Sequence, residues 1–240
     1  MSNHTPARKI RVNARKFAAA WNFISTEETR YYLNGVCITP CREGGVLLIA
    51  TNGHYMGIVH DETGETDAEY ICPVPKKIIT AIRRRPSRGD HLPSRGDHLA
   101  RPGDLHFVGN AAFLTCEGFD GEDLSIISDA HIEVAYAPAI DATFPDYSRV
   151  IPPPFDGKEK GITEFAINGN FPPIFSDAVR LLTSEKSPSL CFGVRGRGEP
   201  LTVTSPAAES FFGLLMPMLG DSSQRPTWVP EFKKSEKAKP

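Results

Sequence analysis

The chain has 240 residues, a formal net charge of −2 and a hydrophobic fraction of 40%. That length suits one large domain or two ordinary ones with a real core, and no apolar run approaches the ~18 residues of a membrane span. The charge excludes a uniformly basic nucleic-acid binder but leaves room for a basic face on an acidic remainder.

The start, Met1 to Pro6, is polar and lacks the apolar stretch of a secretory signal, so a cytoplasmic location with no membrane partner is expected. The first helix is expected from Asn13, a plausible N-cap, to about Ser25. Phe17, Ala20, Trp21 and Ile24 share one face, and Arg15, Lys16 and Asn22 lie elsewhere. Strands are expected over Tyr31 to Thr39, Val46 to Thr51 and Tyr55 to His60. Arg42 to Gly45 reads as a turn, and Asn52-Gly53 as a tight hairpin turn, since both residues tolerate positive φ. Asn34-Gly35 is flanked by strand formers and is placed inside a strand, at a bulge.

Pro75 suits the first turn of a second helix running through Lys76 to Arg85, with Ile78, Ile79 and Ile82 buried. The heptad Pro86 to Leu92 then recurs unchanged as Pro93 to Leu99, as expected of an insertion into a surface loop. Its Arg-Gly-Asp triplets carry little weight for adhesion in a chain without a secretion signal. Strands resume at Leu105 to Val108, Ala112 to Cys116 and Leu124 to Tyr136. The segment Phe144 to Lys160 is rich in Pro and Gly and reads as a linker. A third helix follows from about Asn170 to Thr183, with Pro172 and Pro173 in its first turn and Phe171, Phe175, Ala178 and Leu182 as its apolar stripe. The last strands are Ser189 to Val194, Leu201 to Thr204 and Glu209 to Met216, with a turn at Arg195 to Gly198. Beyond Gly220 the chain is polar except for Trp228, Val229 and Phe232, and reads as a disordered tail.

The chemistry-bearing residues suggest binding and not catalysis. There is no phosphate-binding glycine loop, no metalloprotease helix motif and no nucleophile elbow. The acidic group Asp120, Glu122 and Asp123 lacks calcium-loop spacing, and no nucleophile partner is visible for His54. Cys37, Cys72, Cys116 and Cys191 sit in apolar, strand-like surroundings and read as buried reduced thiols. Cys37 and Cys41 have no second Cys or His pair at zinc spacing, so neither metal nor cofactor is expected.

Four strings carry a resemblance. They are Arg30 to Gly35 (RYYLNG), Ala50 to His54 (ATNGH), Phe144 to Val150 (FPDYSRV) and Leu214 to Leu219 (LLMPML). Together the chain resembles the bacterial replicative sliding clamp, the beta subunit of DNA polymerase III, from about Val12 to Leu219. The resemblance implies an α+β DNA-clamp fold of repeated helix-plus-antiparallel-sheet units, three in this chain. Residues 1–143 would match the family's middle domain, with a loop insertion at 86–101. Residues 144–160 would be a linker, 161–220 part of the last domain, and 221–240 the tail. The family's first domain has no counterpart.

In that family a hydrophobic cleft between the middle and last domains receives short Leu/Phe peptides from DNA polymerase, the clamp loader and repair proteins. The positions carried over are Arg30, Leu33, Thr51, His54, Met56, Pro145, Val150, Leu214, Met216 and Met218. Flexible, polarizable Met suits a groove for varied apolar peptides. Contact with double-stranded DNA, independent of sequence, would fall to Arg15 and Lys16 on the first helix and to Lys76, Lys77, Arg83 and Arg84 on the second. The third helix offers only Arg180, offset by Asp177. The implied function is a non-catalytic processivity factor in DNA replication. A non-encircling module that captures clamp-binding peptides is the alternative, and homo-oligomerisation into a ring is left open.

Overall fold

The computed structural model describes residues 9–84, 101–119, 131–153, 165–196 and 198–218. The duplicated heptad, the acidic group at 120–123, the first part of the strand expected from Leu124 and the tail from 221 lie outside the described residues.

The chain enters on strand β1 (Lys9–Asn13), which leads without a loop into helix α1 (Ala14–Trp21). The Asn13 side chain accepts hydrogen bonds from the amides of Arg15 and Lys16, both at 3.1 Å, and so caps the helix. Then come β2 (Val36–Pro40), β3 (Val46–Thr51), β4 (Tyr55–Asp61), β5 (Glu65–Thr66), β6 (Tyr70–Cys72) and helix α2 (Lys76–Arg83). Strands β7 (Pro102–Val108), β8 (Ala111–Cys116) and β9 (His131–Tyr136) complete the second unit. The third has helix α3 (Pro172–Thr183) and strands β10 (Cys191–Gly193), β11 (Leu201–Thr204) and β12 (Phe211–Leu215).

Among the described residues the strands form two antiparallel sheets. One runs β5-β1-β7-β8-β9, and the other β10-β11-β12-β4-β3-β2-β6. The seven-stranded sheet crosses from the third unit to the first at the β12–β4 pair, which aligns Phe211 with Val59, Gly213 with Gly57 and Leu215 with Tyr55. Period-two alternation decides what lies on each side of this sheet. Val36, Ile38, Leu48, Ala50, Val59, Phe211 and Leu215 join the main core with Phe17, Phe23 and Phe175. Cys37, Ile49, Met56, Ile58 and Leu214 face the other way and form a second cluster with Leu33, Ile71 and Phe144.

The seam between units is glycine on both strands. A Cβ at Gly57 would stand 2.3 Å from the Phe23 ring, and one at Gly213 2.6 Å from the Phe175 ring. The missing side chains let the two rings lie against the sheet backbone, with centroids 5.1 Å apart in an edge-on arrangement. A buried carboxylate ties the first unit together. Asp61, at the end of β4, accepts from the Asn13 amide at 2.7 Å and pairs with Lys16 at 3.4 Å.

Several local expectations are corrected. The first unit opens on a strand, β1, whose pattern is too short to announce itself. Helix α1 stops at Trp21, where the Asn22 side-chain amide turns back and donates to the Ala18 and Ala19 carbonyls. α2 stops at Arg83. Tyr31 to Leu33 lie in a 3-10 turn, Glu28–Leu33, and Asn34-Gly35 forms the junction to β2 instead of a bulge within it. The residues between β3 and β4 have positive φ only at Gly53 (+90°); Asn52 instead accepts from the amides of His54 and Tyr55. Cys37 and Cys72 are buried, but Cys191 is exposed on β10 at the sheet edge and Cys116 is half-buried.

Candidate functional site

The second apolar cluster is not fully covered. Phe144, Ile140 and Tyr147 roof part of it, and a cleft of about 230 Å³ remains beside them. Its floor is the β4–β12 seam, where Met56 pairs with Leu214 and both point away from the helices. Leu33 enters from the end of the 3-10 turn, and Val150 and Pro145 come from the segment after β9. Met216 continues β12, and its amide donates to the His54 carbonyl at 2.9 Å.

The polar rim is built by the β3–β4 turn. Thr51 Oγ1 donates to the Tyr55 carbonyl at 2.7 Å and accepts from the Gly53 amide at 3.0 Å, which fixes the turn. The His54 ring lies near-parallel to that of Phe171, 6.3 Å away, while Phe171 meets Tyr55 edge-on at 4.9 Å. Arg30 lies across Gly53, where a Cβ would stand 2.6 Å from its guanidinium. A two-pronged pair holds Arg30 to Glu27, at 2.8 and 2.5 Å. That hydrogen-bonded pair lowers the Glu27 pKa and raises that of Arg30. Asp146 is held below the usual carboxylate range, first by the Ser148 hydroxyl, then by the Ser148 amide and nearby Arg149. Burial raises the Tyr147 and Tyr55 phenols, so both remain neutral at any ordinary pH. The site therefore offers an apolar floor, aromatic walls and a charged rim, with no activated nucleophile.

Nine of the ten cleft positions named from sequence line this one cleft: Arg30, Leu33, Thr51, His54, Met56, Pro145, Val150, Leu214 and Met216. Met218 is not in the wall; it is exposed just beyond Met216, its amide bonded to the Ala166 carbonyl. The sequence reading missed Tyr32, Tyr55, Phe144, Tyr147 and Pro200, which also line it. Phe144 and Tyr147 stand inside a string already singled out, so their aromatic character beside Pro145 was the available signal.

The six candidate cations on the helices have mixed fates. Lys16 is turned inward to Asp61, and Lys77 pairs with Glu133 at 2.8 Å. Arg15 reaches the Ser184 hydroxyl at 3.1 Å. Arg83 donates to Asn22 Oδ1 at 2.5 Å and lies over the Trp21 ring at 5.9 Å. Lys76 and Arg84 are exposed. Arg15 and Arg83 also share a polar groove with Arg101, Arg180 and Glu117. Arg101 had not been singled out, because its neighbours in sequence belong to the repeated loop.

No family model matches the chain. It is 33% identical over 136 residues to the beta sliding clamp of two Caulobacter vibrioides strains. The match takes in 54% of this chain and 29% of those proteins. Over that stretch the chain is similar in sequence to the bacterial beta sliding clamp. In three dimensions it is similar to the DnaN sliding clamp of Bartonella birtlesii, with a TM-score of 0.53 at 17% identity, over 91% of this chain and 67% of that one. The Bacillus subtilis DNA polymerase sliding clamp gives 0.52 at 14% identity, over 92% and 67%. The fold is thus the α+β DNA-clamp fold, in which the described residues contribute three α-helices and two antiparallel sheets. The chain spans less than a third of the length of the curated relatives it matches.

Proposed function

We propose that the protein is a clamp-like, non-catalytic replication factor whose working site is the cleft, and that it captures short Leu/Phe peptides of polymerase, loader or repair proteins. One observation carries this reading. The sheet face that should be sealed is left open at the β4–β12 seam, and residues from five separated stretches of sequence converge on the opening. A concave, mainly apolar site with a few polar groups at its rim suits an extended peptide with one or two apolar anchors. The test is the double variant His54→Ala, Met216→Ala. Its affinity for a fluorescein-labelled Leu/Phe peptide should fall by about ten- to a hundredfold, the range expected of paired interface anchors. Unchanged affinity in a folded variant would remove the cleft as the site.

As a clamp-like factor the protein would hold duplex DNA without reading sequence, through the cations beneath the sheets and the arginine-lined groove. The internal pairing of Lys16 and Lys77 supports the second reading, a module that captures peptides without encircling DNA. Solution mass, with retention on nicked circular DNA before and after linearisation, separates the two. A ring slides off the linear form; equal retention on both would eliminate encirclement.

A further inference from the structure

We propose that Glu27 is a positioning residue for the cleft: it holds one edge of the Arg30 guanidinium and presents the other, so that the site prefers peptides with a carboxylate beside their apolar anchors. This inference rests on the peptide-cleft reading and adds its specificity. Arg30 lines the cleft, whereas Glu27 does not and acts only through it.

The Glu27 backbone is itself held in place. Its amide donates to the hydroxyl of buried Ser25 at 3.1 Å. Its carbonyl accepts from the Arg30 amide at 3.3 Å and from the Asn34 side chain at 3.2 Å. Glu27 stands at the N-cap of the turn Glu28–Leu33, yet its side chain makes no capping bond. Both carboxylate oxygens go to Arg30 instead, one to Nε at 2.8 Å and one to Nη2 at 2.5 Å. The turn leaves helical geometry at Arg30 (φ −113°, ψ 46°), which gives this pair a course of its own. A two-pronged contact fixes the plane of a guanidinium as well as its place.

The opposite edge is left for a ligand. Among the described residues, Arg30 Nη1 has no hydrogen-bond acceptor. It lies against Gly53, where a Cβ would stand 2.6 Å away, so glycine leaves it room. Gly53 lies in the cleft wall beside His54. The Nη1–Nη2 edge of a guanidinium matches a planar carboxylate. Holding Arg30 in advance also removes rotamer freedom that binding would otherwise have to suppress. Two sources share the chemistry of the ligand: an Asp or Glu side chain of the peptide, and its C-terminal carboxylate.

The experiment uses the full chain and its variant Glu27→Gln, with fluorescence anisotropy of three fluorescein-labelled Leu/Phe peptides. One carries Asp beside the anchors and a C-terminal amide. The second has Asn in place of Asp, and the third is the Asn peptide with a free C-terminal carboxylate. Glu27 is half exposed, so the variant should fold. The parent should bind one or both carboxylate peptides about fivefold more tightly than the neutral one, the scale of a solvated, well-oriented ion pair. In Glu27→Gln that preference should fall below about twofold, with affinity for the neutral peptide unchanged. The peptide that loses its advantage identifies the source of the carboxylate.

The sign separates positioning from simple neutralisation. Removing a negative charge beside Arg30 makes the rim more positive, so a Glu27 that only neutralised Arg30 would, when lost, raise the preference. A preference that is unchanged or larger in Glu27→Gln would therefore overturn the inference, as would equal binding of all three peptides by the parent. Either result leaves the cleft reading in place. Failure of the parent to bind any of the peptides would overturn the cleft reading and this inference with it.

Discussion

The two faces of the seven-stranded sheet are equally apolar in sequence, yet one is core and the other is a site. On the helix side, Phe23, Phe175 and Phe211 fill the space over the glycine seam, and all three are buried. On the far side, Met56 and Leu214 occupy the same pair of strands but meet only a partial roof from Phe144 and Tyr147. Alternation alone makes both faces; what covers each face decides which of them can bind. Phe23→Ala should test this most severely. Removing a fully buried ring costs about 3–5 kcal/mol, visible as a large fall in the urea midpoint. Met216→Ala, at the open face, should cost under about 0.5 kcal/mol, as at other exposed positions. Comparable losses at the two positions would mean that the cleft is an ordinary part of the core.

Gly57→Ala sharpens the same contrast at the seam itself. The added methyl would sit 2.3 Å from the Phe23 ring, so ring or strand must move. An overpacked core of this kind costs about 1–3 kcal/mol. Denaturant unfolding should report that loss, while peptide affinity, which depends on the opposite face, changes little. A stability-neutral Gly57→Ala would show that the ring is not held against the backbone.

Legibility in the sequence followed the same division. Helix-side positions were readable because the helical stripes repeat: Phe17 and Ala20 on α1, Ile78, Ile79 and Ile82 on α2, and Phe175 and Ala178 on α3 are all buried. The cleft floor was reached through the four strings, and Met56, Leu214 and Met216 meet there. Its roof was harder. Phe144 and Tyr147 open a stretch rich in proline, where composition says linker and no period marks a packed side chain. Tyr31 to Leu33 favour a strand in sequence but end the turn Glu28–Leu33, which Ser25 draws closed by donating its amide to the Leu33 carbonyl at 2.9 Å. Strand β1 and the crossing of units at β4–β12 depend on partners distant in sequence, which no local pattern encodes.

At the rim, charge replaces packing. Arg30→Ala removes the guanidinium that spans Gly53 and its pair with Glu27. Both partners are solvated, so the unfolding midpoint should stay within experimental scatter. Peptide affinity should fall several-fold, with a loss that shrinks as salt is raised. A large stability loss would instead make Arg30 a structural brace for the turn.

The smallest effect belongs to the five-stranded sheet, away from the cleft. His106 on β7 has the opposite parity to Leu105 and Phe107, and it is buried beside Phe119. Burial, helped by Arg11 and Lys9 and opposed by Asp104 and Glu65, holds its imidazole below the ordinary value of 6.5. As pH falls through 6.5, the unfolded chain takes up a proton that the folded chain still refuses. The unfolded state then binds more protons, and stability declines until the folded value is reached. His106→Gln keeps a polar side chain at the position and removes the titration. Urea midpoints of parent and variant should therefore converge as pH is lowered from 7 through this window, with peptide affinity equal in the two proteins at each pH. A constant difference in midpoint across that range would mean that His106 is protonated equally in both states, and that burial on this sheet does not control it.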